Sequence, residues 1–205
     1  MTNGKYHKGS EWRQWDLHIH TPASFHWSGK KFSSDPRDPA NIPLVDEMIN
    51  ALNAAEPAVF AIMDYWTFNG WFALKHRLAQ PDAPVLNKTV FPGIELRLMS
   101  PMRAKLNAHV LFSDKISDQE LIDFKSNLKL EFPGQDLRNL SNGALIEYAR
   151  SVSTDKLNHH GFDKSRVTND KAYALEAGSK MAELNCESYK NAIAKDIILS
   201  DTGVS

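Results

Sequence analysis

Cysteine is nearly absent from this sequence, since Cys186 is the only one among 205 residues. A single cysteine cannot form an internal disulfide, which indicates a fold held by an apolar core and a reducing compartment. No apolar run approaches the length of about 18 residues that a membrane-spanning helix needs. The segment up to Arg13 is polar, which predicts no signal peptide. We therefore expect a cytoplasmic protein.

Neither sign of charge predominates, because 24 basic residues are balanced by 25 acidic ones and the net charge is −1. This balance excludes a chain that binds nucleic acid through overall basicity, but it leaves a local basic groove open. A length of 205 residues favours one domain with a substantial core. The length is somewhat short for a complete α/β barrel, which usually takes about 250 residues.

Residues 15–22 combine two histidines with the alternation of a β-strand. Leu17 and Ile19 alternate with His18 and His20, so the two imidazoles are expected on one face, about 6–7 Å apart along the strand. The proline that follows ends the strand, because proline has no N–H to donate to the ladder. Neighbouring imidazoles at a strand end suit a metal ion, although a strand with two solvated histidines has the same pattern.

Three further candidate ligands accompany apolar runs. Asp64 and Glu95 each follow a mostly apolar run, and His109 lies inside one. Such runs are typical of buried strands. An order of His-x-His, Asp, Glu and His, each at or near the end of a strand, is hard to obtain by chance, so the sequence predicts a shared site.

The motifs around these residues resemble the PHP family, the polymerase and histidinol phosphatase domain. The similar segments are residues 16–21, 61–64, 92–95 and 107–111. The resemblance covers residues 12–112 of a single domain spanning 1–205, whereas residues 113–205 diverge. It implies an α/β fold, a distorted (β/α)7 PHP-type barrel.

The resemblance also implies two or more divalent transition metals that hydrolyse phosphate esters. The implied ligands are His18, His20, Asp64, Glu95 and His109. Glu95 is the expected bridge between two ions, because a carboxylate binds through two oxygens. A mixed nitrogen and oxygen set suits zinc, manganese or iron better than magnesium. Such a metal lowers the pKa of its water from about 15.7 towards 7 and so activates it as a nucleophile.

The sequence departs from the family pattern at later ligands. Asp64 is followed by Tyr65, where the family usually has histidine. Neither His159-His160 nor residues 200–202 fit the late ligand motifs well. Neighbouring side chains on a strand point apart, so at most one histidine of that pair is expected at the site. The pattern of residues 12–16 with Asp64-Tyr65 is most similar to PHP domains fused to SMC-type ATPases.

Two residues are candidates for contact with a substrate phosphate. Arg97 is two residues beyond Glu95 and therefore on the same strand face. Tyr65 is a second candidate, as a hydrogen-bond donor to phosphate, a weak ligand or a packing residue. A phenol stays protonated below about pH 10, which favours packing or a supporting role for Tyr65.

The remaining pattern alternates strands and helices up to residue 112 and then changes. The predicted elements are strands near 14–20, 58–63 and 106–112, one or two strands over 85–98, and helices over 42–55 and 68–79. Ser117 and Glu120 form a capping box that opens another helix. Beyond it we expect a more helical C-terminal third, a polar stretch over 155–169 with a loop around Asn158 and Gly161, and a strand-like run over 197–203. Few strands remain there, so the barrel is expected to be incomplete or unusual.

Two functions from different classes follow. The first is a metal-dependent phosphoesterase, a phosphatase or nuclease acting on nucleic acid, nucleotides or small phosphate esters, as in DNA-repair or phage-defence machinery. The second is a catalytically degenerate PHP-like module that regulates or docks an ATPase partner. An unclosed barrel leaves sheet edges to be covered, which a partner or a homo-oligomer would do.

Overall fold

The computed structural model describes residues 12–100, 106–132 and 134–201, with side chains up to Lys195. Its fold is mixed α/β. The chain divides into two compact units. Residues up to 94 together with 111–114 form the first, and residues 95–110 together with those from 115 onwards form the second. Of the described helices, none is long and apolar enough to span a bilayer.

The first unit alternates strands and helices. Its elements are β1 (Trp15–Ile19), α1 (Ile42–Ala54), β2 (Val59–Ile62), α2 (Asn69–Leu78) and β3 (Thr89–Leu98), whose end belongs to the second unit. β1, β2 and β3 pair in parallel in that order. The predicted helices and the first two strands are confirmed to within a few residues. β3 is one continuous strand through Pro92, where the sequence allowed two.

The position of each strand in the sheet decides how its apolar residues are used. Every residue of β2 is buried, because β2 lies between two strands, and a continuous apolar run is typical of such a strand. β1 lies at the end of the strand order, and its Trp15 and Leu17 are exposed. The apolar residues of β1 therefore contribute little to the described core.

The pairing of β1 with β2 contains a bulge at the histidine motif. Asp16 pairs with Phe60 and Ile19 with Ile62, so two residues of β1 stand opposite the single Ala61. A bulge of this kind increases the local twist and redirects side chains. The strict alternation predicted for this strand is therefore interrupted at residues 17 and 18.

The second unit is mostly helical. It contains the end of β3 and most of β4 (Leu106–Leu111), followed by α3 (Asp118–Asn127), β5 (Lys129–Leu130), β6 (Arg138–Asn139), α4 (Asn142–Ser151), α5 (Thr154–His159), α6 (Lys164–Asn169), α7 (Lys171–Met181) and α8 (Cys186–Asp201). The capping box at Ser117 and Glu120 is confirmed at the start of α3. The expectation of a more helical C-terminal third is confirmed as well.

β4 completes the strand order β1-β2-β3-β4. The N–H of Phe112, just past the end of β4, donates to the carbonyl of Pro92 at 2.9 Å, and Asn107 contacts Glu95. The later residue of one strand region, Phe112, meets the earlier residue of the other, Pro92, whereas the earlier Asn107 meets the later Glu95. β4 therefore runs antiparallel to β3. Strands of an ideal α/β barrel are parallel, and the predicted distorted barrel stays a prediction.

Two local predictions after residue 112 are wrong. The loop expected around Asn158 and Gly161 is shorter than predicted, because Asn158 lies in α5, which is capped by the side chain of Ser153, and α6 soon follows, capped by Asp163. Each helix buries few apolar residues, among them Leu157 and Val167, which is too few for a periodic signal. Residues 197–201 continue α8 and form no strand.

Candidate metal centre

The histidines of β1 lie close together in the first unit. The ring centroids of His18 and His20 are 5.1 Å apart in an edge-on arrangement. His18 is exposed and His20 is half-buried. The sequence prediction that these two side chains are neighbours is confirmed, even though the bulge interrupts the regular alternation of the strand.

The carboxylate of Asp64 is engaged by the segment after β1. Asp64 is fully buried. Its Oδ1 accepts from the N–H of Thr21 at 2.7 Å, and its Oδ2 accepts from the Thr21 hydroxyl at 2.6 Å. Burial raises the pKa of Asp64 to about 7, while hydrogen bonds from Thr21 and from the backbone N–H of Gly70 act to lower it. The role of Asp64 as a metal ligand stays a prediction beside this structural role.

The segment after Asp64 is aromatic and buried. The Tyr65 side chain is 1% exposed and its ring contacts those of His26 and Trp66, with centroids 4.4 and 5.1 Å away. Trp66 has a φ of 67°, a conformation that a bulky residue rarely adopts. Tyr65 is therefore part of the packing in this unit, and its predicted contact with phosphate stays a prediction.

Ser24 is a residue of this site that the sequence prediction missed. Its side chain is fully buried, and its Oγ lies 3.2 Å from Nδ1 of His20. The same Oγ accepts a hydrogen bond from the backbone N–H of Tyr65 at 3.2 Å. A serine in a proline- and glycine-containing loop carries no signal of such a contact in the sequence.

The second unit brings Glu95 and His109 together across neighbouring strands. His109 Nε2 lies 3.7 Å from Glu95 Oε1. The amide of Asn107 donates to the same Oε1 at 2.9 Å. Asn107 and His109 are two residues apart on β4 and therefore share a face. Asn107 belongs to the motif that contains His109, but its contact with Glu95 was not predicted.

The Glu95–His109 separation fits two ligands of one metal ion. Zinc binds imidazole nitrogen and carboxylate oxygen at about 2.0–2.2 Å, so two ligand atoms of one ion are at most about 4.4 Å apart. The observed 3.7 Å lies inside this limit. The Glu95 side chain is 10% exposed and that of His109 is 42% exposed, so the carboxylate is held in place while the imidazole is accessible.

Two other predicted residues have different surroundings in the second unit. Arg97 is buried, and its Nη1 donates to the backbone carbonyl of Lys180. Its predicted contact with a substrate phosphate stays a prediction. His159 ends α5 and His160 follows it, with ring centroids 5.4 Å apart. Among the described residues, neither histidine lies close enough to two other possible ligands to form a metal site with them.

Comparison with known proteins gives little further information. The sequence matches no protein-family profile and no curated protein. The solved structure of an amidohydrolase from Chromobacterium violaceum, with bound sulfate and no metal, is 17% identical over 81% of this chain, with a TM-score of 0.40. This chain spans about half of that structure, 48% of its length. A likeness at this level supports neither a fold nor an activity.

Proposed function

We propose that this chain binds a divalent transition metal through His18, Glu95 and His109. The observation that carries the proposal is that Nε2 of His109 lies 3.7 Å from Oε1 of Glu95, within reach of one ion. His18 is included because the sequence motifs imply it as a ligand. Two imidazoles and a carboxylate are a common ligand set for zinc and for other first-row transition metals. All three residues were also expected as ligands from the sequence motifs.

The strand pairing of the first unit supports this choice of residues. Ile19 of β1 is in register with Ile62 of β2, and Ile62 is in register with Pro92 of β3. The strands are parallel, so their C-terminal ends meet at one edge of the sheet. His18 is one residue before Ile19 and therefore lies at this end of β1. This edge is where ligands bind in parallel α/β sheets.

Asn107 has a supporting role in this proposal. Its amide donates to Oε1 of Glu95, which fixes the orientation of the carboxylate. Residues that orient ligands in this way increase metal affinity. When bound, a divalent metal supplies Lewis acidity and activation of water at neutral pH.

We propose phosphate-ester hydrolysis as the reaction. The similarity of residues 16–21, 61–64, 92–95 and 107–111 to PHP motifs supports this reaction class. The narrower similarity to PHP domains joined to SMC-type ATPases favours nucleic acid or nucleotides as substrates. Manganese, zinc and iron are the candidate metals, and two or more ions are expected from the family.

One observation favours the alternative of a catalytically degenerate module. Both carboxylate oxygens of Asp64 accept hydrogen bonds from Thr21, and Tyr65, at the position of a usual histidine, is packed among aromatic rings. A site that lacks these ligands would hold fewer metal ions. In that case the chain would serve an ATPase partner by docking or regulation.

A hydrolysis assay separates the two functions. Single-stranded DNA, RNA, a nucleotide and a chromogenic phosphate ester are each incubated with manganese, zinc or iron. The phosphoesterase proposal predicts turnover that a chelator abolishes and that His109→Ala removes, while His76→Ala, an exposed histidine of α2, retains it. Metal binding without turnover on any substrate would support the docking module instead.

A further inference from the structure

Ser24 and His20 form a partly buried contact that limits what His20 can do. Ser24 is fully buried, and its Oγ lies 3.2 Å from Nδ1 of His20. The backbone N–H of Tyr65 donates to this Oγ at 3.2 Å. This hydrogen bond from the segment after β2 therefore fixes the position of the hydroxyl oxygen, whichever way the hydroxyl proton points.

The direction of the Ser24–His20 hydrogen bond follows from the serine proton. A hydroxyl has one proton to donate, and a buried donor that lacks an acceptor is destabilising. Within the described parts of the chain, Nδ1 of His20 lies within hydrogen-bond distance of the Ser24 hydroxyl and can accept its proton. The Tyr65 N–H is a donor and cannot take this proton. Ser24 therefore donates to Nδ1.

This direction selects one tautomer of His20. A neutral imidazole carries its proton on one nitrogen and a lone pair on the other. If Nδ1 accepts from Ser24, the proton is on Nε2, and neither nitrogen keeps a lone pair for a metal. A metal-binding histidine usually shows the reverse arrangement, in which the nitrogen away from the metal donates its N–H.

We propose that Ser24 is a positioning residue that holds His20 as the Nε2–H tautomer, so that His20 donates a hydrogen bond to an oxygen of the substrate phosphate and does not bind metal. The phosphate part of this inference rests on the proposed function, whereas the tautomer does not.

The test begins with the metal-free protein. Long-range proton–nitrogen NMR at pH 8, where histidine is mostly neutral, reports the tautomer of each ring. We expect His20 to be protonated on Nε2, and Ser24→Ala to give a mixture of both tautomers. A wild-type His20 protonated on Nδ1 would overturn the proposal. This readout needs neither metal nor activity, so its failure is distinct from failure of the proposed function.

Zinc binding gives a second test that does not depend on the folding of the serine variant. We compare His20→Gln, which keeps an N–H donor, with His18→Gln by equilibrium dialysis. We expect His18→Gln to weaken zinc binding by more than about 100-fold, because loss of a residue that only supports a ligand already costs about 10–100-fold, and we expect His20→Gln to change it little. Equal loss in both variants would show that His20 is a ligand.

Hydrolysis of the chromogenic ester distinguishes a phosphate contact from a structural role. Starting from the zinc- or manganese-loaded protein, we expect His20→Ala to raise KM or lower kcat and His20→Gln to recover part of the loss. Equal activity of wild type and His20→Ala would contradict the phosphate contact.

Discussion

The side chain of Asp64 accepts two hydrogen bonds from Thr21, one from its backbone N–H at 2.7 Å and one from its hydroxyl at 2.6 Å. Thr21 follows β1 and Asp64 follows β2, so the contact fixes the ends of two neighbouring strands to each other. His18 and His20 immediately precede Thr21, so this contact fixes the end of the strand that carries both histidines.

Removal of the Thr21 hydroxyl tests the structural part of this contact. Thr21→Val keeps the shape of the side chain but leaves the buried Asp64 oxygen without its donor, so we expect a loss of about 1–3 kcal/mol in the free energy of unfolding. Denaturant titration measures this loss. The same change at Thr154, an exposed residue of α5, should have a much smaller effect; equal effects at both positions would argue against a special role for Thr21.

The stability of the metal-free protein should depend on the protonation of Asp64. Its pKa is about 7 in the folded state, above the ordinary value of 3.8, because burial disfavours the charged form. Between these values the folded chain binds more protons than the unfolded chain. The Asp64 contribution is therefore present below about pH 4 and is lost as pH rises towards 7, with a slope of up to about 1.4 kcal/mol per pH unit.

Denaturant titrations at several pH values, in the presence of chelator, check this dependence. The free energy of unfolding of wild type minus that of Asp64→Asn should decrease as pH rises from 4 to 7. A difference that does not change over this interval would show that Asp64 ionises normally in the folded chain.

Gly70 at the start of α2 is expected to tolerate no side chain. A Cβ at this position would overlap Oδ2 of Asp64 and Oγ1 of Thr21. We expect Gly70→Ala to cost about 1–3 kcal/mol, as is usual for overpacking. Gly143 in α4 is the matched control, because the nearest atom to its added Cβ is 3.8 Å away, and alanine favours helix there. Thermal unfolding of both variants distinguishes a steric conflict from a general effect of glycine replacement.

Asn107 should affect metal affinity without being a ligand. Its amide donates to Glu95 Oε1 at 2.9 Å, and loss of a residue that orients a ligand typically weakens metal binding by about 10–100-fold. We expect Asn107→Ala to lower zinc affinity within this range while stability changes little. Asn158→Ala, at an exposed position of α5, is the control. If both variants bind zinc like the wild type, Asn107 does not orient Glu95 for a metal.

The elements that the sequence predicted well are those with a strong local pattern. α1 has the apolar stripe of an amphipathic helix, β2 is a continuous apolar run, and α3 begins at a capping box. These signals come from residues close in sequence, so they can be recognised without knowledge of the tertiary structure. The strands that carry Glu95 and His109 were found for the same reason.

The features that the sequence prediction missed depend on contacts between distant residues. Ser24 meets Tyr65, 41 positions away, and Asp64 meets Thr21, 43 positions away. The bulge in β1 arises from its pairing with β2. No local pattern encodes these contacts, and a buried carboxylate at a strand end has the same sequence signature whether it binds a metal or a hydroxyl.

Metal stoichiometry tests the central claim most directly. Equilibrium dialysis against zinc or manganese, followed by elemental analysis, should give at least one tightly bound ion per wild-type chain. His18→Ala, Glu95→Gln and His109→Ala should each lose that ion, whereas His76→Ala should keep it, because His76 is an exposed residue of α2 outside the ligand motifs. Unchanged metal content in the three ligand variants, or no tight binding by the wild type, would contradict the proposed centre.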